Sequence, residues 1–266
     1  MRKALSLLLA SLLLLSLGVA SADTLRVGME CNYAPFNWTQ MEGSELAVPI
    51  AAGGYADGYD VQIARQIAKG LGMDLEIVKI EWDGLPLALM SGKIDAIIAG
   101  MSPTQERMLT IDFTDPYYES DLVIVVKKDG PYAQATSLAD FSGARITGQL
   151  NTFHYTVIDQ IPGVNKQTAL ETFTAMIVAL DAGRIDGYVS ERPGAMSALI
   201  SNPGFSYVAF EEGQGFQALA EDTTVAVGLQ KGSPLREKIN GILAGISEET
   251  RLTMMNEAMA RQPLSE

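Results

Sequence analysis

The sequence predicts an α/β fold made of two similar lobes with largely parallel sheets. Three observations carry this expectation. Short β-rich runs alternate with stretches of helical spacing. Ile94–Ala99 is apolar apart from Asp95, as expected of a strand buried on both faces. A local phrase also occurs twice: Ser91-Gly-Lys-Ile-Asp95 before Ala-Ile-Ile-Ala-Gly100, and Ala182-Gly-Arg-Ile-Asp186 before Gly-Tyr-Val-Ser-Glu191. In each copy a glycine supplies the left-handed end of a helix and an isoleucine opens a buried strand. A single αβ turn can look like this; two copies in comparable contexts point to two lobes. The repeat aligns Gly100 with Glu191, each at the carboxyl end of a strand, where ligands sit in open α/β sheets.

The elements follow in order. Leu25–Gly28 is β-rich and alternates, so it reads as the first strand. Residues 32–57 carry Gly, Pro and small residues and read as a long connection. Tyr59–Leu71 places Val61, Ile63, Ala64, Ile67, Ala68 and Leu71 at helical spacing, and Gly72 ends it. Leu75–Ile80 is a strand and Gly84–Ser91 a short helix closed by Gly92. Leu122–Val126 is an apolar strand. The order then repeats as strand Ala144–Thr147, helices Phe153–Gln160 and Leu170–Ala182, and strand Ile185–Val189. Thr223–Leu229 is a late strand, and two helices follow Ser233.

The first residues concern location. Arg2 and Lys3 precede an apolar stretch from Leu5 to Leu17, and Ala20-Ser21-Ala22 supplies small residues suited to a signal peptidase. The stretch is shorter than the roughly 20 residues of a membrane span. Residues 1–22 therefore read as a cleaved signal peptide, and no cysteine follows that would carry a lipid anchor. Cleavage removes two of 19 bases and none of 32 acids, moving the net charge from −13 to −15. Such a chain repels nucleic acid and anionic lipid. One His and one Cys cannot build a four-ligand zinc site, and Cys31 has no intramolecular disulfide partner. No metal or other cofactor is implied.

The stretch after Gly100 carries the chemistry. In Met101-Ser-Pro-Thr-Gln-Glu-Arg107, Ser102 suits an N-cap, Pro103 the first helical position, and Gln105 completes a capping box. A helix terminus with free N–H groups near Thr104 favours an anion. Arg107, three residues on, would add a guanidinium fork matched to a carboxylate. Taken alone, an ordinary surface Arg on a capped helix explains the residues equally well.

The wider context decides. Gly100-Met-Ser-Pro-Thr-Gln-Glu-Arg107 followed by Ile111-Asp-Phe-Thr-Asp-Pro-Tyr-Tyr118 resembles the signature of the polar amino-acid solute-binding proteins of ABC importers (extracellular solute-binding family 3). Gly28 through Tyr33-Ala-Pro-Phe36, Gly58-Tyr-Asp-Val61, Trp82-Asp-Gly-Leu85 and Gly92-Lys-Ile-Asp95 resemble it too, in the family's order. The resemblance implies a periplasmic-binding fold of the second type. Each lobe is a sheet flanked by helices, and two hinge strands join the lobes. Lobe one is expected over residues 23–119 plus 222–266 and lobe two over 120–221. The crossings are placed near Glu119–Val123 and near Asp222.

The resemblance also implies a site. Arg107, assisted by the Thr104 N–H, would hold a ligand α-carboxylate; Ser102 and the Gly100 carbonyl would meet its α-ammonium. Gln149-Leu-Asn-Thr-Phe153 stands in place of Q-x-G-T-T. Thr152 matches and would donate to the carboxylate, whereas Asn151 and Phe153 depart from Gly and Thr. Glu191 replaces the usual Asp at the α-ammonium, and Tyr33 and Trp82 match ring positions around the side chain. Glu30 matches an acid that faces the distal cation of basic ligands, which favours Arg or Lys, with polar ligands such as Gln next. Each of these residues also has a plainer reading, as core ring or surface acid. Asp60, Asp95 and Asp186 read as structural, and Arg192 is left between an acid partner and solvent.

The implied partners are a free L-amino acid and, at the membrane, an ABC permease with its ATPase. The protein is expected to be a periplasmic monomer and not an enzyme. A cyclohexadienyl or arogenate dehydratase on the same scaffold, with Glu191 as acid, is the alternative, as is the ligand-sensing subunit of a receptor. Other signals are weaker. His154 is the single His, no nucleophile elbow or P-loop is present, and Gly213-Gln-Gly-Phe-Gln-Ala218 lacks a βαβ context. Met254-Met255 reads as helix packing.

Overall fold

A computed structural model describes residues 23–263, so the expected signal peptide lies outside the described residues. Two five-stranded sheets form the two lobes. The first contains β1 (Thr24–Met29), β6 (Asp74–Lys79), β7 (Ala96–Ile97), β8 (Ile111–Glu119) and β14 (Thr224–Gln230), in the order β6-β1-β7-β14-β8. The second contains β9 (Leu122–Lys127), β10 (Arg145–Thr147), β11 (Asn165–Lys166), β12 (Gly187–Glu191) and β13 (Phe205–Val208), in the order β11-β10-β12-β9-β13. In each, three parallel strands are followed by an antiparallel pair. The sheets are therefore copies of one plan.

The helices that cover the sheets begin where the chain leaves a strand. α1 (Tyr59–Leu71) buries Val61, Ile63, Ala64, Ile67 and Ala68, and Gly72 ends it at φ 69°. α2 (Leu85–Met90) and α5 (Phe173–Asp181) precede β7 and β12 in the two lobes. α6 (Arg192–Ser201) continues directly from β12, and α8 (Leu235–Ala244) and α9 (Glu248–Arg261) close the described chain. Three short helices complete it: α3 (Gln105–Met108), α4 (Phe153–Thr156) and α7 (Ala220–Thr223).

The repeated phrase is structural in both lobes. Arg26 and Arg145 each fork onto an aspartate, at 2.7 Å to Asp95 and 2.6 Å to Asp186. In each fork the Arg also donates its backbone N–H to the same carboxylate and Nη1 to a carbonyl, that of Lys93 or Arg184. The forks hold both aspartates below the usual carboxylate range. Register extends the equivalence. Gly28 pairs with Ile97 in the first sheet, and Thr147 with Tyr188 in the second.

The chain crosses between sheets twice, side by side. It leaves β8 at Glu119 and enters β9 at Leu122; it leaves β13 at Val208 and re-enters the first sheet at Thr224. Ser120 N–H donates to the Thr223 carbonyl at 3.0 Å, so the crossings are joined. Arg192 grips Asp121 there at 2.8 Å and lies over the Tyr207 ring, which answers the open question of its partner. Behind them, Gln262 exchanges two hydrogen bonds with Ser197 of α6.

Several expectations need correction. Residues 32–57 are not a plain connection. They fold into a small sheet of β2 (Asn32–Tyr33), β3 (Asn37–Gln40), β4 (Val48–Pro49) and β5 (Tyr55–Asp57), with strands too short to show a period. The helix expected from Leu170 starts at Phe173, because the Thr172 side chain caps it by accepting from Ala175 N–H. Leu170 bridges to Gln149 instead. β8 was absent from the expected elements. Its Pro116 falls where the register with β14 slips, a place that tolerates proline and hides the strand pattern. α6 and β13 were missed as well.

One buried network ties this scaffold to the cleft. Asp60 accepts from Asn37 Nδ2 at 2.8 Å and from Tyr117 Oη at 2.7 Å, and Gly100 N–H donates to the same phenol oxygen at 3.4 Å. Burial pushes the Asp60 carboxyl up to about 7 despite these donors. Tyr117→Phe keeps the ring but strips a donor from a buried acid. Urea titration should show a loss of about 1–3 kcal/mol.

Candidate functional site

The lobes face each other at the carboxyl ends of equivalent strands. Two residues beyond Gly28 stands Glu30, and two beyond its counterpart Thr147 stands Gln149. The structure brings these equivalents together: Gln149 Nε2 donates to Glu30 Oε2 at 3.3 Å across the cleft. Gly100 and Glu191 occupy the other equivalent strand ends. Around them lies a cavity of about 20 Å³ lined by Tyr33, Trp82, Gly100, Ser102, Arg107, Gln149, Thr152, Phe153 and His154. A wider groove of about 580 Å³ continues outward past Trp82, Thr104, Arg107, Asn151 and Phe153.

Gly100 shows why the first lobe needs its glycine. Its φ is +64°, and a Cβ would come within 3.0 Å of the Tyr33 ring. The tight approach seats that ring at the cleft floor. Tyr33 stacks on Phe173 of the second lobe, with centroids 4.2 Å apart and planes 11° apart. Phe173 had no place in the sequence-based site. Repeat equivalence would have pointed to it, since Phe173 precedes the cap Gly183 by the same interval that separates Trp82 from Gly92.

Arg107 sits at the mouth. Its Nη1 donates to the Ser102 carbonyl at 2.9 Å, its Nη2 to the Asn151 carbonyl at 3.1 Å, and its guanidinium lies 5.1 Å from the Trp82 ring centroid. Burial lowers its pKa to about 10, so it stays cationic at neutral pH. Trp82 thus packs on the Arg107 guanidinium itself. The helix start differs from expectation. Thr104, not Ser102, is the N-cap, and its hydroxyl accepts from Arg107 N–H. The Thr104 N–H is already donated to the Ser102 carbonyl in a tight turn, which delays the helix to Gln105. Ser102 is buried on the cavity wall.

In the second lobe Thr152 precedes α4 and donates its hydroxyl to the Gln149 carbonyl at 2.7 Å. Glu191 ends β12, almost fully buried, with Oε1 3.6 Å from His154 Nε2. His154 was set aside in the sequence because it is the single His and no nucleophile elbow accompanies it; the fold places it beside an acid.

Four buried side-chain atoms at this spot have no hydrogen-bond partner among the described residues: Glu30 Oε1, Tyr33 Oη, His154 Nδ1 and Glu191 Oε2. Natural cores rarely leave such atoms unpaired. Their convergence between two carboxylates and a guanidinium is the polarity that a small zwitterion would satisfy. Burial also pushes the Glu30 carboxyl up to about 7.

The comparisons agree with this geometry. Residues 25–259 match the bacterial extracellular solute-binding proteins, family 3. The chain belongs to that family. A probable histidine-binding protein of Campylobacter jejuni is 34% identical over 73% of this chain and 70% of its own. ABC transporter arginine-binding protein 1 of Escherichia coli is 30% identical over 91% of this chain and 93% of its own. Among solved structures, an amino acid ABC transporter substrate-binding protein from Streptococcus pneumoniae, bound to L-arginine, superposes with a TM-score of 0.77. It is 27% identical and covers 89% of this chain and 94% of its own. The two-lobe fold is thus shared with periplasmic amino-acid binding proteins.

Glu30 gives a pH signature. Its folded pKa of about 7 lies above the ordinary 4.5, so the folded state holds its proton more tightly. The contribution is full below about 4.5 and is lost as pH rises through about 7. Asp60 acts in the same direction. Thermal melts should therefore show Glu30→Gln losing less stability than the parent protein between pH 5 and pH 8, with the Asp60 share remaining.

Proposed function

We propose that the protein is the extracytoplasmic solute-binding component of an ABC amino-acid importer. It takes a free L-amino acid, basic by preference, between closing lobes. Lobe one comprises residues 23–119 plus 222–266, and lobe two residues 120–221. The observation that carries the reading is one cavity lined by Arg107, Gln149 and His154, the last two touching Glu30 and Glu191, whose other carboxylate oxygens are buried and unpartnered among the described residues. Arg107 would take the α-carboxylate with Thr152 opposite, and Glu191 the α-ammonium with Ser102 and the Gly100 carbonyl. The distal group would run between Tyr33 and Trp82 toward Glu30. The arginine-binding relatives support the preference for a cation.

An amino acid needs more room than a cavity that holds about one water. Phe173 and Gln149 therefore have to draw back with the second lobe, a hinge motion about Ser120 and Thr223. The released solute would pass to a permease driven by its ATPase. The protein would work in the periplasm as a monomer; no helix among the described residues is long and apolar enough to cross a membrane.

A thermal-shift panel of the twenty amino acids, run after stripping copurified ligand, tests this. A true ligand at a hundredfold excess over its dissociation constant should add about 2.7 kcal/mol. L-arginine or L-lysine should respond most, and Arg107→Ala should abolish the response while the protein still melts cooperatively. A full response from that variant would refute the clamp. If the ligand is cationic, its charge draws the Glu30 proton off, so affinity should rise as pH increases toward about 7 and level off above it. Calorimetry at several pH values reads this directly.

The His154–Glu191 contact favours one second reading, a dehydratase acting on cyclohexadienyl substrates through a carboxyl–imidazole pair. Turnover of prephenate or arogenate by the purified protein would replace the transport reading.

A further inference from the structure

We propose that two repeat-related hydrogen bonds, Asn151 to Asp83 and Thr174 to Asn32, are latches that hold the lobes together; this rests on the closing-cleft reading above. In the first, Asn151 Nδ2 of lobe two donates to Asp83 Oδ1 of lobe one at 2.9 Å. In the second, Thr174 Oγ1 of lobe two donates to Asn32 Oδ1 of lobe one, also at 2.9 Å.

The internal repeat maps one latch onto the other with the lobes exchanged. Asn32 stands four residues beyond Gly28, and Asn151 four beyond its equivalent Thr147. Asp83 and Thr174 each stand nine residues before a left-handed glycine, Gly92 and Gly183. The same two positions of the fold therefore meet twice. Asparagine fills the strand-end position both times, once as donor and once as acceptor. The Glu30–Gln149 contact joins a third pair of equivalents between them.

Asn151 shows how the latch was added to the scaffold. It stands where the family motif has glycine, and its φ of +55° lies in the left-handed region. Asparagine tolerates that conformation better than most residues. The turn that glycine would make is kept, and an amide is gained that reaches the other lobe. The Asn151 carbonyl also accepts from Arg107, so the latch residue touches the proposed carboxylate clamp. Neither hydrogen bond lies within one lobe, and both must break when the lobes part. Both are exposed, so each biases closure without locking it.

The test uses Asn151→Gly, which keeps the turn, and Thr174→Val, which keeps the side-chain shape. Stopped-flow release of L-arginine should be about fivefold faster in each, the factor one ordinary net hydrogen bond supplies, and their effects should multiply. Asp83→Ala should match Asn151→Gly and add nothing to it. Asp83→Asn, which still offers an oxygen, should behave like the parent protein. Small-angle scattering without ligand should show a larger radius of gyration in both latch variants than in the parent. Release rates and radii equal to the parent's in Asn151→Gly and Thr174→Val would overturn the proposal. So would Asn151→Gly and Asp83→Ala effects that multiply. If L-arginine fails to bind the parent protein, the ligand reading falls, and the scattering comparison alone decides the latches.

Discussion

The cleft depends on one constraint: two copies of the same strand end must face each other across a narrow hinge. The hinge is narrow because its crossings run side by side, with Ser120 bonded to Thr223. The strand ends are alike because each lobe repeats the Arg–Asp fork and the parallel strands it braces. Given both facts, the equivalents Glu30 and Gln149 meet, and the ring of Tyr33 stacks on Phe173, the counterpart of Trp82. A polar pocket then forms without any loop being dedicated to it, at the place where open α/β sheets collect ligands.

The polarity of that pocket comes at the expense of local stability. Glu30, Glu191, His154 and Tyr33 each keep a buried atom unpaired among the described residues. Burial lifts the Glu30 carboxyl into the neutral range, and the buried Asp60 is lifted beside it. An ensemble that can relieve these groups by opening, or by closing around a charged solute, responds to ligand through a difference in interaction between its two states. Arg107 is pre-positioned for this by two carbonyls and the Trp82 face, so its side chain is largely ordered in advance.

Much of this was legible in the sequence, and the limits have physical causes. The repeated phrase predicted two lobes, and its alignment of Gly100 with Glu191 matches the observed strand register. Helix Tyr59–Leu71 was readable to its ends because amphipathic period and glycine cap agree. The small sheet within residues 32–57 was not readable, since two-residue strands show no period. β8 was hidden by its proline and its irregular pairing with β14. At the site, residues adjacent to motifs were found, whereas Phe173, His154 and Asp83 were missed. The roles of Phe173 and Asp83 come from contacts between lobes and that of His154 from a contact with Glu191 far along the chain, which no local pattern records; the repeat, carried as far as register, points to the first two. The capping of α3 was misassigned because Ser102 and Thr104 both suit an N-cap, and the turn between them decides which one serves.

The central claim is that this cleft closes on the two charged ends of a free amino acid. A crystal structure grown with the amino acid that gives the largest thermal shift tests it most directly. The account predicts the α-carboxylate on the Arg107 guanidinium, the α-ammonium on Glu191, and the side chain directed toward Glu30. A ligand bound outside the cleft, or lying with its carboxylate away from Arg107, would contradict it.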